Sequence, residues 1–379
     1  MIVRQFLTWI RTASAGSRAD ATSALARAYL YSDLSSDDRA AAEGAMIMLL
    51  DDPSPLVRLA LAESLGAHPD APPAVILALA ADQPEIATIV LERSPLFLDA
   101  DLVDAVGSGD AQRQAAIAAR SYLPCAVAAA LAEVGSAEAC LILIENPDAM
   151  IAPFSLDRII ERHGRLAAIR ESLLARDDLP VAARQTLVLK LSRALTDFVA
   201  SRQWLDEKRA AQVSQEACEK ATVTMAAATN EADLPQLVQH LRESGQLTSG
   251  LVLRALLSGN ILLFEEALSE LSGLPAARIS RLVHDRGGRG LRAIFERAGF
   301  PLSTYPAVRT ALETLQESGY IGEPGGATRL KRRMVERVLT QCEEECGDDV
   351  EPLLMLLRRF ALEAAREEAR LFCDELAAA

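Results

Sequence analysis

Six arginines crowd one short stretch: Arg278, Arg281, Arg286, Arg289, Arg292 and Arg297, against only Asp285 and Glu296. His284 and the glycines at 287, 288 and 290 lie in its middle, just before an apolar run with helical spacing. Glycine backbone feeding a helix N-terminus presents unpaired N–H groups and the positive end of the helix dipole, and each guanidinium adds a planar fork of donors. The chemistry expected of Arg278, Arg281, His284, Arg286, Gly287, Gly288, Arg289 and Arg292 is therefore binding of a small anion: a phosphate, a carboxylate or an acidic peptide. The spacing is neither the Walker pattern nor the dinucleotide fingerprint, and no strand precedes it. A Gly-rich interhelical turn flanked by solvated arginines accounts for the same letters, so both readings stand.

Other reactive side chains are sparse. Cys342 and Cys346 are one helical turn apart and share a face. With no histidine in residues 323–379 to complete a tetrahedral set, they read as free thiols. His68, His163, His240 and His284 are isolated in sequence, and no Ser, Cys or Thr has a local His partner. No catalytic residue, metal or cofactor is expected, and the chain reads as a non-enzyme.

The elements that must position these residues follow from composition. The chain has 379 residues, 50% hydrophobic but only 4% aromatic, so its core must be mostly Ala and Leu. Those residues favour helices, whereas strands need β-branched and aromatic side chains. Apolar residues recur three and four apart, no segment alternates strictly, and no hairpin dipeptide occurs. In the first half Pro and Gly mark turns at Asp52-Pro53, Gln83-Pro84, Gly109-Asp110, Asn146-Pro147 and Leu179-Pro180. Steps of about 27 to 36 residues are those of a helix–turn–helix repeat.

The clearest unit runs from Asp51 to Gly66, with Asp or Ser as a helix cap, Pro55 in the first turn and Gly66 as a stop. This stretch resembles the second helix of a HEAT repeat, with its turn Asp, its Val-Arg six positions on and its small-residue seam. The resemblance implies that Asp52 and Arg58 join an inter-repeat polar ladder. The segment 109–116 is similar to a weaker copy. Residues 251–268 and 289–301, including Leu251-Val252-Leu253-Arg254 and Arg289-Gly290-Leu291-Arg292, resemble an uncharacterised bacterial domain-of-unknown-function family with HEAT-like repeats. That likeness implies a helical fold in the bacterial cytoplasm and carries no activity.

The fold expected is all-α: capping helices over 1–34, an acidic HEAT-like α-solenoid over 35–180, and a long connecting segment over 181–229. A second helical domain over 230–322 and a helical tail over 323–379 complete it. From Val181 to Leu234 there are 54 residues without Pro or Gly, which one long helix or two shorter ones would satisfy. Leu187, Leu191, Leu195, Phe198 and Leu205 mark a buried seam there, with Trp204 beside it. The helix over 329–345 begins with Arg329, Lys331, Arg332 and Arg333 and ends in Glu343 to Glu345. That order opposes the macrodipole. Another surface can neutralise it, the acidic 33–145 block being the obvious one; neutral drift on a solvated helix explains it equally simply. The stripe Leu353, Leu356, Leu357, Phe360, Ala364, Leu371 and Phe372 packs on the chain's own helices or docks a partner or second copy.

Charge bears most directly on function. The net charge is −14, and residues 33–145 alone hold 18 acids against five arginines, a net of −13. Such a block repels nucleic-acid phosphates and attracts basic partners with a strength that falls as salt rises. A scaffold or adaptor that binds a basic or Arg-rich protein is the leading expectation, an anion sensor at 278–297 the second, and a nucleic-acid enzyme the least supported. Six cysteines without a framework of short spacings read as reduced, buried residues of a cytoplasmic protein. No run is long enough to span a bilayer. The acid-free first 19 residues read as a capping helix, with a transit or membrane-surface segment as the other possibility.

Overall fold

The computed structural model describes residues 9–10, 12–285, 289–318, 326–344 and 351–378. Among these, regular structure is entirely helical, apart from a lone parallel bridge between Leu123 and Ala149. The chain divides into two compact units, Met1–Ala183 and Arg184–Ala379.

The first unit contains α1 (Ala15–Tyr31), α2 (Ser36–Leu49), α3 (Pro55–Leu65), α4 (Pro73–Ala80), α5 (Pro84–Arg93) and α6 (Asp99–Gly107). It continues with α7 (Ala111–Ala118), α8 (Cys125–Val134), α9 (Ala137–Glu145), α10 (Pro153–His163) and α11 (Ala167–Ala175). Short helices follow from the regular breaks: a proline opens α3, α4, α5 and α10, where its missing N–H costs nothing. Ser35, Asp110 and Ser136 cap α2, α7 and α9 through their side chains. Gly66 closes α3 in right-handed geometry; a Cβ there would lie 2.5 Å from the Ala62 carbonyl oxygen, so the turn admits only glycine.

Packing within this unit alternates. One row stacks α1, α3, α5, α7, α9 and α11, each on the helix two before it; in the other row α2 meets α4, and α6, α8 and α10 stack in turn. Each helix buries a stripe such as Val57, Leu61 and Leu65 of α3 or Val75, Ile76 and Leu79 of α4. A fully buried Leu or Ile stabilises by about 1.5–3 kcal/mol, so the small size of these helices is offset by complete burial of their apolar faces.

The second unit holds α12 (Val181–Ser201), which starts in the last residues of the first unit, and α13 (Glu207–Ala228). The connecting stretch is thus two helices. After them come α14 (Leu234–Glu243), α15 (Ser249–Leu257), α16 (Ile261–Ser272), α17 (Ala276–Val283), α18 (Arg289–Arg297), α19 (Tyr305–Ser318), α20 (Gly326–Glu344) and α21 (Glu351–Ala378). Every residue of α15 from Leu251 to Leu257 is buried, which makes it the axis around which α13, α16, α19 and α20 gather. Thr248 caps α15, and Gly273 ends α16 at φ +69°, a conformation costly for other residues.

Two expectations need correction. The seam read over 187–205 is buried only at Leu187: Leu191, Leu195, Phe198 and Leu205 are exposed, as is Trp204 at 66%. Apolar periodicity marks a helix face that wants covering, and it cannot say whether the same chain supplies the cover. Of the described cysteines, Cys140, Cys218 and Cys342 are buried, but Cys125 and Cys373 are exposed; Cys346 lies outside the described residues.

Candidate functional site

Asp52 and Arg58 sit in a chain of charges running along one row of the first unit. Arg18 of α1 grips the Asp52 carboxylate with Nε at 2.8 Å and Nη2 at 2.7 Å. Arg58 of α3 donates to the main-chain oxygen of Asp52 at 2.6 Å and sends the rest of its guanidinium on to Asp82, which Arg113 of α7 meets at its carbonyl. Each carboxylate also accepts the N–H of its own turn, from Ser54 on Asp52 at 2.8 Å and from Gln83 on Asp82 at 2.7 Å. The Arg18 hydrogen bond holds Asp52 below the usual carboxylate range. Burial pushes Asp82 up, but its Arg58 and backbone hydrogen bonds more than offset that. Asp52 and Arg58 therefore do not pair side chain to side chain; Asp52 links back to α1 and Arg58 forward to the start of α5.

Further along, the ladder changes chemistry. Side chains just after one helix cap the carbonyls that end the helix two before it. Arg120 donates to Leu91 and Ser94 at the end of α5, Asn146 to Ala118 and Arg120 at the end of α7, and Arg176 to Ile144 at the end of α9. In the other row Arg162, in the last turn of α10, donates to the Ala132 and Gly135 carbonyls at the end of α8. Terminal carbonyls have no intrahelical partner, so a charged or amide donor from the next helix in the row satisfies them and fixes the stacking distance. Arg18, Asp82, Arg113, Arg120, Asn146, Arg162 and Arg176 were not singled out by sequence. The signal was there for some of them, since Asp82 stands before Gln83-Pro84 as Asp52 stands before Pro53.

The ladder uses up bases. Of the five arginines within 33–145, Arg58, Arg113 and Arg120 are spent on it, Arg39 lies over the Tyr29 ring at 4.8 Å, and Arg93 faces Glu92. Acids such as Asp37, Glu63, Glu85, Asp99 and Asp104 remain exposed.

The arginine-rich segment is arranged differently. Arg278 and Arg281 are exposed on α17. His284 at its end donates from Nδ1 to the Ser280 carbonyl, 2.9 Å away, and lies 3.3 Å from Glu265, an acid beside the expected anion position. Arg292 of α18 pairs with Glu296 at 3.3 Å, and Arg297 caps α16 at Ser272. Arg286, Gly287 and Gly288 lie outside the described residues.

Sequence reading also missed the most buried charge. Arg254 in α15 is 4% exposed, donates to Glu363 at 2.7 Å, lies 3.6 Å from Glu219 and stacks over Phe360 at 4.3 Å. Lys220 bridges Glu363 and Glu367, and Lys331 meets Glu367 at 2.8 Å. Burial pushes Glu219 up despite Arg254, whereas for Glu363 burial is outweighed by Arg254 and Lys220. The network ties α13, α15, α20 and α21 together. It also resolves the macrodipole puzzle: the basic start of α20 meets the acidic second half of α21 through Lys331–Glu367 and Arg332–Glu368, and Glu343 near its end meets Arg358. The neutralising surface is thus the last helix, and not the acidic block of the first unit.

A family profile described as "Uncharacterised protein conserved in bacteria (DUF2336)" matches residues 86–345. The chain belongs to that family. No curated protein and no solved structure matches it. The DUF2336 match begins in the first unit at α5 and runs through the end of α20, so it takes in Arg254 and the 278–297 segment but begins after Asp52, Arg58 and Asp82. Among the described residues no helix is long and apolar enough to cross a membrane.

Proposed function

We propose that this DUF2336 protein is a non-enzymatic adaptor whose first unit is a HEAT-like α-solenoid binding a basic or Arg-rich protein segment. The observation that carries the reading is the spending of arginines on the ladder: Arg58, Arg113 and Arg120 are engaged there, while acids such as Asp37, Glu63, Glu85, Asp99 and Asp104 stay exposed. Stacked helix pairs present long surfaces to partners, and an acidic one steers basic chains to it over roughly one Debye length, about 8 Å at physiological salt.

The test is binding of a labelled Arg-rich peptide to the full chain as salt is raised, with Asp99→Lys/Asp104→Lys as control. Binding at low salt that is lost at high salt and weakened by the double reversal supports the proposal. Absence of binding at low salt, or binding indifferent to both, overturns it.

A further inference from the structure

We infer that the protein is a homodimer through the tip of the α12–α13 hairpin. Leu191, Leu195 and Phe198 follow one another at helical spacing along α12, and Trp204 and Leu205 in the turn and Val213 on α13 are exposed apolar residues near them in sequence. All six are exposed, from 37% at Leu191 to 66% at Trp204. The tip is built, not frayed: Phe198 meets Trp204 edge-on at 5.7 Å, and Arg202 lies over the Phe198 ring at 5.5 Å. Gln203 holds φ at +56°, among the described residues the one non-glycine with positive φ, and Trp204 donates its N–H back to the Val199 carbonyl at 3.2 Å. A strained turn that keeps an aromatic pair in solvent points to a surface used for recognition.

Area and charge select a second copy as the occupant. The six side chains present on the order of 500 Å² of apolar surface, well over half of the ~800 Å² per partner in a stable interface. Arg193, Asp197, Arg202, Asp206, Glu207, Lys208 and Arg209 are interspersed with them between Leu191 and Val213, three acids and four bases. A surface of mixed sign offers nothing in particular to a polyanion or polycation, but under a two-fold axis each sign meets its opposite. A hairpin with one exposed apolar face is also half of a four-helix bundle. The acidic surface of the first unit cannot serve, because two copies of it repel.

Sedimentation velocity of the full chain tests this from about 1 to about 100 μM, the range that brackets micromolar affinity. A dimer is expected that tightens or holds as salt rises, opposite to the salt response of the acidic surface, so the two proposals fail separately. Leu195→Asp and Trp204→Ala, both at exposed positions, should each weaken the dimer by roughly 30-fold or more with an unchanged circular-dichroism spectrum, the scale of losing an interface anchor. Phe372→Asp, on the exposed face of the last helix, should leave it intact. A monomer at the highest concentration, a dimer indifferent to both hairpin variants, or one dissolved by Phe372→Asp would each overturn the inference.

Discussion

The guanidinium of Arg58 holds the Asp82 carboxylate in two bonds, Nε to Oδ2 at 2.6 Å and Nη2 to Oδ1 at 3.1 Å, joining residues 24 apart in the chain. Both side chains are mostly shielded, so the pair gains more than a surface ion pair and is geometrically specific. Asp82→Ala should cost about 1–2 kcal/mol and raise amide exchange in α3 and α5. Arg58→Lys should recover little of the loss of Arg58→Ala, since an ammonium cannot make the paired bonds. Denaturant unfolding with hydrogen-exchange mass spectrometry measures both, and full rescue by lysine would contradict the bidentate role.

Acid should weaken the first unit through Asp52. Its folded pKa is depressed by Arg18, so its contribution is fully present above the unfolded value of about 4 and is lost as pH falls through the folded one. Arg18→Gln should flatten that acid limb. Thermal melts between neutral pH and about pH 3 give the slope, and an equal slope in wild type and variant would remove Asp52 from the account.

Gln114 is a buried amide that donates to Val106 at 3.0 Å and accepts from the Ser136 N–H at 2.8 Å, joining α6, α7 and the start of α9. Leucine there strips the Ser136 N–H of its acceptor, while the Val106 carbonyl keeps the Gly109 N–H. Gln114→Leu should therefore destabilise by about 1–3 kcal/mol in spite of its added hydrophobicity. A neutral or stabilising result in urea titration would show that the amide serves no such role.

In the second unit, Arg254→Ala should be the more damaging change. Removing Arg254 leaves the shielded Glu219 without its neighbouring cation, while Glu363 keeps Lys220, a loss of about 3–5 kcal/mol. Arg254→Ala/Glu219→Gln should be less destabilised than Arg254→Ala alone, because the carboxylate left without a cation has gone. Calorimetry of the two variants decides it, and strict additivity would mean the residues are not coupled.

Much of this molecule was legible in its letters. Ala and Leu in place of β-branched and aromatic residues made helices the available structure, and prolines at 55, 73, 84 and 153 set where they start. Asp52 and Arg58 stood out because their turn motif is local. What the letters could not convey were partners 24 to 147 positions apart, such as Asp82 for Arg58 and Glu367 for Lys220. An arginine inside the apolar run of α15 reads as an interruption until the acids of α13 and α21 are seen around it. Likewise the stripe from Leu191 to Phe198 reads as core, since hydrophobic spacing is a property of one helix whereas burial is a property of whatever else reaches it. Local backbone preference thus came from sequence, and the matching of charges and the covering of faces came only from the tertiary arrangement.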